Sequence, residues 1–186
     1  MIDSTLLPLQ DDRVRLRPLH HGDAAAYAEG TEDPGVREYG HLPEPEYTPE
    51  SVRQMIYRDV APGLERGDLA VLAIADGATD QFVGSLVIFD VSDHSAEVGF
   101  WVHPDHRGSG VTASALGLAA RFARDCGLQE LTARTLPENT ASRRVLEAAG
   151  FALRGREVDT APSGHRTELL GYSRPLREGS TGRPSS

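Results

Sequence analysis

The residues of this sequence best suited to chemistry form a short glycine-rich turn, RGSGVT, at residues 107–112. An apolar run precedes the turn and a segment with helical apolar spacing follows it, so the local order is strand, turn, helix. A helix start carries backbone N–H groups without intrahelical partners, together with partial positive charge, and both favour a bound phosphate. Gly108 and Gly110 allow backbone angles that are closed to other residues, and Arg107 adds a charged hydrogen-bond donor for the same anion. The turn therefore predicts a phosphate site.

The glycine turn by itself leaves three interpretations open. A tight strand-to-helix turn can carry two glycines for structural reasons alone, and GSGVTA also fits the dinucleotide pattern G-x-G-x-x-G/A. The Gly-Lys-Ser/Thr of an ATP-binding loop does not follow these glycines. A dinucleotide site needs an acidic residue about 20 positions further on at the end of the next strand, whereas Glu130 opens that strand. The alternatives are a structural turn, a dinucleotide site and a site for another phosphate-bearing ligand.

Apolar alternation and turn signals predict the elements that must position this turn. The predicted strands are residues 12–18, 69–75, 81–91, 95–102, 131–135, 151–158 and 166–173, and the predicted helices are 20–30, 49–66, 110–125 and 139–149. Thr48 is the expected N-cap of the helix at 49–66, which has a proline at its first position. Residues 33–49 hold four prolines and are predicted to be an irregular loop.

These elements predict an α/β (α+β) fold. Turn residues at 76–77 and 92–93 join consecutive strands as antiparallel hairpins, and strand–helix units follow them. The result is a mixed, mostly antiparallel central sheet with helices on both faces. A ligand in such a sheet lies beyond the carboxyl end of the strand before the glycine turn, which places His103 and Arg107 at the site.

Composition restricts the class of protein and of partner. A chain of 186 residues with 39% apolar and 25% charged residues is ordinary for one globular domain. We predict that domain at residues 1–176, and we predict a disordered polar tail at residues 177–186. The net charge of −9 argues against a nucleic-acid partner held by phosphate contacts. It is compatible with a cationic substrate and equally with a simple role in solubility.

Cysteine content and hydropathy predict the compartment. Cys126 is the only cysteine, which excludes an intramolecular disulfide, and no apolar run approaches the ~18 residues of a membrane span. The N-terminal MIDSTLLPLQDDR is too acidic and has too few apolar residues for a signal peptide. A cytoplasmic protein without a membrane partner is expected.

A second stretch, PENTASRRVLEAAGF at residues 137–151, is more specific than the glycine turn. Together with EVGFWVHPDHRGSGVTASAL it resembles the GNAT superfamily of acetyl-CoA-dependent N-acetyltransferases. The branch it resembles is the RimJ/RimL-like one, which contains ribosomal-protein N-terminal acetyltransferases. The resemblance covers residues 12–176 and is strongest over residues 95–151. It implies a GNAT-like sheet and acetyl-CoA as the co-substrate.

The resemblance also implies which residues hold acetyl-CoA. The family turn R/Q-x-x-G-x-G/A binds the pyrophosphate, and Thr112 stands where Gly or Ala is usual. Asn139 corresponds to the asparagine that binds the pantetheine arm and Ser142 to a serine near the sulfur, although capping of the helix is the alternative for both. Exposed main chain after the fourth predicted strand would hold the thioester carbonyl. The implied cofactor-binding residues are Trp101, Val102, His103, Arg107, Gly108, Ser109, Gly110, Val111, Thr112, Asn139 and Ser142.

Amine acylation needs a base, because the substrate arrives as an ammonium and must lose a proton before it attacks. Glu97 is the candidate, since it shares a strand face with Gly99 and Trp101 and the family often carries a glutamate base here. The alternative for Glu97 is a structural or solvent-facing carboxylate. His94 and His103 are weaker candidates, and the His-x-x-His spacing at 103 and 106 lacks a third ligand for a metal.

The expected proton donor to the leaving thiolate departs from the wider family. Leu146 occupies the position where many GNAT enzymes carry a tyrosine, seven residues after the asparagine. The RimJ/RimL-like branch often lacks this tyrosine, so Ser142, Tyr172 or water is expected to supply the proton. The predicted catalytic residues are therefore Glu97, Ser142 and Tyr172.

Three functions compete at the level of sequence. The leading one is an N-acetyltransferase for a primary amine, either a protein N-terminus or a small molecule such as an aminoglycoside or a polyamine. The second is a catalytically inactive acyl-CoA-binding or regulatory module, and the third is a dinucleotide oxidoreductase, in which PENTASRRVLEAAGF has no role. The acceptor site is expected from residues 39–47 and the last hairpin. The identity of the amine, and the choice between monomer and homodimer, stay open.

Overall fold

An eight-stranded sheet forms the centre of the structure, a computed structural model that describes residues 1–40, 42–160 and 166–176. The strand order is β1-β2-β3-β4-β5-β6-β8-β7. The strands are β1 (Leu9–Gln10), β2 (Val14–Pro18), β3 (Ala70–Asp76), β4 (Phe82–Phe89), β5 (Ser95–Val102), β6 (Glu130–Thr135), β7 (Ala152–Thr160) and β8 (Arg166–Pro175). Only the short β1 was not predicted.

The sheet opens between its two parallel strands. All neighbouring strands are antiparallel except β5 and β6. Their register runs only from Ser95↔Glu130 to Glu97↔Thr132. Within the described residues β5 and β6 share no pairs beyond Glu97, so the second half of β5 has unpaired main chain on this side. Unpaired backbone N–H and C=O groups need other partners, which makes this opening a natural ligand site.

Helices cover both faces of the sheet, as predicted. They are α1 (Ala24–Gly30), α2 (Pro34–Tyr39), α3 (Pro49–Met55), α4 (Ala61–Arg66), α5 (Val111–Asp125) and α6 (Thr140–Ala148). Helices α5 and α6 pack on the face that carries Val98 and Val102 of β5, whereas α1 and α3 pack on the face of Trp101. Because side chains alternate along a strand, β5 supplies both hydrophobic cores. The predicted mixed, mostly antiparallel sheet is confirmed.

The prediction of an irregular loop at residues 33–49 was wrong in its first part. Residues Pro34–Tyr39 form α2, and the Asp33 side chain caps it by accepting a hydrogen bond from the Val36 N–H at 2.9 Å. An Asp N-cap followed by a proline is the same start signal that Thr48 and Pro49 give for α3. The density of prolines after α2 obscured that signal.

A π-helical turn interrupts the predicted helix at residues 49–66. Thr48 caps the helix as expected, through a capping box. The chain then passes from α3 into the π turn Ile56–Val60 and from there into α4. Pro62 accounts for the interruption, since proline has no N–H for the carbonyl four residues before it and its ring clashes with that carbonyl. The Ala61 N–H bonds instead to the Ile56 carbonyl, five residues back.

Some predictions fall outside the described residues. The tail at residues 177–186 and residues 161–164 of the last hairpin connection belong to that group. The domain boundary at residues 1–176 stays a prediction. Among the described residues, no helix is long and apolar enough to cross a membrane.

Candidate active site

The glycine turn has the geometry that the sequence predicts. Gly108 and Gly110 have φ of +73° and +78°, and Gly110 is the N-cap of α5. A Cβ at Gly108 would meet no atom within 4 Å, so backbone angle rather than crowding calls for glycine there. The first hydrogen bond of α5 runs from the Ser114 N–H to the Gly110 carbonyl at 3.2 Å. The amides before Ser114 therefore have no intrahelical acceptor and can bind an anion.

Two arginines brace this turn, and the sequence pointed to only one of them. Arg107 forms an ion pair with Asp33, the cap of α2. Burial opposes the charge on Asp33, but hydrogen bonds from Arg107 and from backbone N–H groups outweigh burial, so the pKa of Asp33 lies below its ordinary value. Arg13 Nη1 donates to the Ser109 carbonyl at 3.0 Å. Arg13 lies 96 residues away from Ser109, and no local pattern marks it.

A groove of about 350 Å³ runs from the glycine turn along the end of β5; we call it the cofactor groove. It contains seven of the predicted cofactor-binding residues: Trp101, Val102, Arg107, Gly108, Thr112, Asn139 and Ser142. Helix α2, which the sequence analysis missed, supplies Gly35, Val36 and Tyr39 to its wall. Ser109, Gly110, Val111 and His103 do not line it. The His103 imidazole instead caps the short 3₁₀ turn Pro104–His106, accepting from the Asp105 N–H at 3.3 Å.

Asn139 and Ser142 satisfy the capping interpretation and also line the groove. Asn139 is the N-cap of α6 and accepts from the Ser142 N–H at 3.1 Å. Its Nδ2 donates to Ser142 Oγ at 2.9 Å. The two side chains therefore hold each other in place at the wall of the cofactor groove. The Ser142 hydroxyl proton is left free to point toward a ligand, since Oγ is the acceptor in this contact.

A second cavity of about 300 Å³, the Glu97 cavity, lies next to the cofactor groove. It brings Glu97 and Ser142 together with Leu146, as the resemblance implied. Arg134 Nε donates to both carboxylate oxygens of Glu97, at 2.9 and 3.0 Å. Burial raises the pKa of Glu97, and the charge and hydrogen bonds of Arg134 only partly offset this, so the pKa lies above the ordinary value. Arg134 was not identified from the sequence.

Tyr172 does not reach the Glu97 cavity. Its side chain is almost completely buried in the core beneath α6, and its hydroxyl donates to Glu147 Oε1 at 3.3 Å. Alternation along β8 directs it to that core. The Tyr172 hydroxyl is therefore not placed to protonate the leaving thiolate, the role expected of it as an alternative to Ser142 or water.

A third cavity of about 690 Å³ lies on the face of the sheet that carries Trp101, beneath the helical segment α3–π–α4; we call it the α3–α4 cavity. Its floor comprises β3, β4 and β5, and its lining includes Tyr27, Val71, Val87, Phe89, Phe100 and Trp101. Of the segment 39–47 expected at the acceptor site, Tyr39 and Pro43 line the Glu97 cavity, and Pro43 and Glu44 line the α3–α4 cavity.

Within the described residues, no cluster of three or more His, Cys, Asp or Glu could hold a metal ion.

Residues 13–152 match the family described as Acetyltransferase (GNAT) domain. The chain belongs to this family, whose members transfer an acetyl group from acetyl-CoA. A relative named Probable N-acetyltransferase YjcK, from Bacillus subtilis (strain 168), is 28% identical over 113 residues. That match covers 59% of this chain and 62% of the relative, so it spans less than two thirds of the relative's length.

Solved structures share the fold at low sequence identity. Ribosomal-protein-S5-alanine acetyltransferase from Vibrio fischeri has a TM-score of 0.78 and 16% identity, with 96% of this chain and all of that chain covered. Mycobacterium smegmatis RimJ in complex with CoA-disulfide has a TM-score of 0.75 and 24% identity. The match covers 93% of this chain and 85% of that chain. The predicted resemblance to the GNAT fold, and to RimJ and RimL structures within it, is confirmed.

Proposed function

We propose that this protein is an acetyl-CoA-dependent N-acetyltransferase that acetylates a primary amine in the Glu97 cavity. One observation carries the proposal: Tyr39, Phe100 and Ser142 line both the cofactor groove and the Glu97 cavity. A thioester lying in the groove would therefore end where a carboxylate and a hydroxyl converge. That convergence is what acyl transfer to an amine requires.

The residues in and beside the cofactor groove supply partners for the pyrophosphate, the pantetheine arm and the thioester of acetyl-CoA. The free amides at the start of α5 and the Arg107 guanidinium would hold the pyrophosphate. Asn139 and the main chain of Trp101 and Val102 would hold the pantetheine arm. Unpaired main chain in the second half of β5 offers an N–H to the thioester carbonyl, where negative charge develops during attack.

The transfer itself needs one base and one acid. Glu97 accepts a proton from the substrate ammonium, directly or through a water molecule, and the neutral nitrogen attacks the thioester carbon. A C–N bond forms, the C–S bond breaks, and the thiolate leaves as CoA. Ser142 Oγ or water then gives its proton to the thiolate and takes up the second proton, which the nitrogen must lose to become the amide; Leu146 has no proton to give. A thiol is a good leaving group, so the base matters more than the acid.

Calorimetry and a thiol-release assay test this function. We expect acetyl-CoA to bind and NAD to show no binding, and we expect a panel of primary amines to accelerate CoA release above the rate with buffer alone. Acetyl-CoA binding without amine-dependent release would favour the inactive acyl-CoA-binding module instead. Binding of NAD alone would contradict the proposal.

The cytoplasmic location and the homodimer remain predictions.

A further inference from the structure

The floor of the α3–α4 cavity includes one position of β5, Gly99, that carries no side chain. In the antiparallel ladder of β4 and β5, Val87 pairs with Gly99 and Ser85 pairs with Trp101 on the face beneath α3. Gly99 contributes only a hydrogen, so the space between Val87 and Trp101 stays open. The resulting cavity holds about 690 Å³, which is more than twice the volume of the Glu97 cavity.

This cavity adjoins the site of the proposed chemistry. Phe89, Gly99 and Phe100 line both the α3–α4 cavity and the Glu97 cavity. Phe89 is the register partner of Glu97, on the same face of the sheet. An amine nitrogen at the Glu97 carboxylate can therefore carry a substituent that extends along β5 into the α3–α4 cavity.

The walls of the cavity suit an uncharged substituent. The Ser85 hydroxyl is occupied, since it donates to the Leu72 carbonyl at 3.2 Å. Tyr27 packs edge-on against Trp101, with ring centroids 5.1 Å apart, and burial raises the pKa of its phenol well above the ordinary value. The remaining floor is aliphatic or aromatic.

The acidic groups at the rim are neutralised within the protein. Arg58 contacts Glu44 at 3.0 Å and Asp59 at 2.7 Å, and these hydrogen bonds raise the pKa of Arg58. A second rim arginine, Arg66, pairs with Asp68 at 2.9 Å. Among the residues that line the cavity, Arg58 and Arg66 equal Glu44 and Asp59 in number, so the lining has no excess of negative charge to attract the further ammonium groups of a polyamine or an aminoglycoside.

We propose that the acceptor is a primary amine with one bulky apolar substituent, such as an arylalkyl group or the side chain of an apolar N-terminal residue, which occupies the α3–α4 cavity. This inference rests on the proposed acetyltransferase function. It selects among the amine classes that the sequence left open, and it disfavours polycations.

Acceptor kinetics at saturating acetyl-CoA test the proposal. We expect kcat/KM for 2-phenylethylamine to exceed that for ethylamine, spermidine and kanamycin by about 10-fold or more, because each buried methylene in an apolar pocket is worth roughly 10-fold or more. Tetrapeptides that begin with Leu or Ser and are otherwise identical distinguish a protein N-terminus from a small amine. Higher kcat/KM for spermidine, kanamycin or ethylamine than for 2-phenylethylamine would overturn the proposal.

Two variants test the cavity directly. Val87→Phe fills the floor and should lower kcat/KM for 2-phenylethylamine by about 10-fold or more while ethylamine changes little. Val158→Phe, the same substitution on the exposed strand β7, is the matched control and should change kcat/KM for neither amine.

Arg58→Gln leaves Glu44 and Asp59 unpaired and should raise kcat/KM for spermidine by up to about 5-fold. Arg58 is exposed, so this variant remains informative should Val87→Phe fail to fold.

A binding measurement separates this inference from the proposed function. Absence of thiol release with every amine contradicts the acetyltransferase function. Calorimetric binding of 2-phenylethylamine to the CoA-saturated protein, lost in Val87→Phe and kept in Val158→Phe, would still support the ligand class of the cavity. Equal binding in both variants, or none in the native protein, would overturn it.

Discussion

Glu97 is the residue whose chemistry depends most on its immediate neighbours. Burial raises its pKa, while the Arg134 guanidinium, bonded to both carboxylate oxygens, pulls the pKa down without cancelling the effect. A carboxyl with a raised pKa is better matched to accept a proton near neutral pH than an ordinary glutamate. Arg134 also contacts Glu157 and Asp159 on β7, so its charge is shared among three carboxylates.

Removing the carboxylate tests the base role of Glu97. Glu97→Gln keeps the size and one oxygen acceptor for Arg134 but cannot accept the proton, so kcat should fall by roughly 10²-fold or more. The dissociation constant of acetyl-CoA should stay the same, because Glu97 lies outside the cofactor groove. Steady-state kinetics and calorimetry measure the two quantities. A wild-type rate across the pH range would assign the base elsewhere.

Arg134 should control the acidic limb of the pH–rate profile. Glu97 acts as a base only when ionised, so activity falls as pH drops through its raised pKa, which lies above the ~4.3 of an ordinary glutamate. Arg134→Met removes the cation that lowers this pKa, and the limb should move to higher pH. Arg134→Lys keeps the charge and should move it less. An unchanged pH–rate profile in Arg134→Met would show that Arg134 does not influence the pKa of the group that limits activity at low pH.

At the scale of elements, α2 connects the two halves of the site. Its residue Tyr39 lines both the cofactor groove and the Glu97 cavity, and its cap Asp33 holds Arg107 of the phosphate turn. On the opposite wall α5 begins at the glycine turn. The conformation of the glycine turn therefore determines where the amides of α5 point.

A pair of glycine variants in α5 isolates the contribution of the turn. Gly110→Ala forces a side chain into φ of +78°, a strain of roughly 1–2 kcal/mol, and relaxation of the turn should weaken acetyl-CoA binding by about 10-fold. Gly117→Ala lies in the exposed middle of the same helix, where a Cβ meets no atom within 4 Å. It should leave affinity unchanged and stabilise the fold by up to ~1 kcal/mol. Equal affinity in a folded Gly110→Ala protein would contradict the placement of the phosphate.

At the scale of the whole molecule, a buried ion pair ties strand β2 to the start of helix α1. Arg17 on β2 makes two hydrogen bonds to Asp23, at 2.8 and 2.9 Å, and both side chains are less than 10% exposed. Arg17 also bonds Asp80 in the turn between β3 and β4 at 3.0 Å. Burial lowers the pKa of Arg17, but its two carboxylate partners outweigh burial and raise it overall.

Breaking this pair should destabilise the whole fold. Arg17→Met leaves the Asp23 carboxylate buried without its cation, and we expect a loss of about 3–5 kcal/mol in the free energy of unfolding. Arg66→Met removes an exposed pair with Asp68 and should cost no more than ~1 kcal/mol. Urea unfolding followed by circular dichroism measures both. A loss in Arg17→Met no larger than in the control would show that Arg17 is not a structural anchor.

The sequence by itself determined the features that depend on near neighbours. The strand–turn–helix order, the positive φ of Gly108 and Gly110, the Thr48 cap and the alternation that directs Glu97 all follow from residues within a few positions of each other. Backbone sterics and side-chain periodicity act over that range, which is why a pattern predicts them. The resemblance to GNAT proteins rests on the same local motifs.

Only the tertiary structure decided which distant groups meet. Arg134 reaches Glu97 across 37 positions because β6 runs parallel beside β5, and Arg13 reaches Ser109 across 96 positions. Tyr172 turns into the core beneath α6 rather than into the cleft, because strand register and packing select its face. The α3–α4 cavity likewise arises from the packing of separate elements over Gly99. Such partners depend on register and packing between elements, which no local sequence pattern encodes.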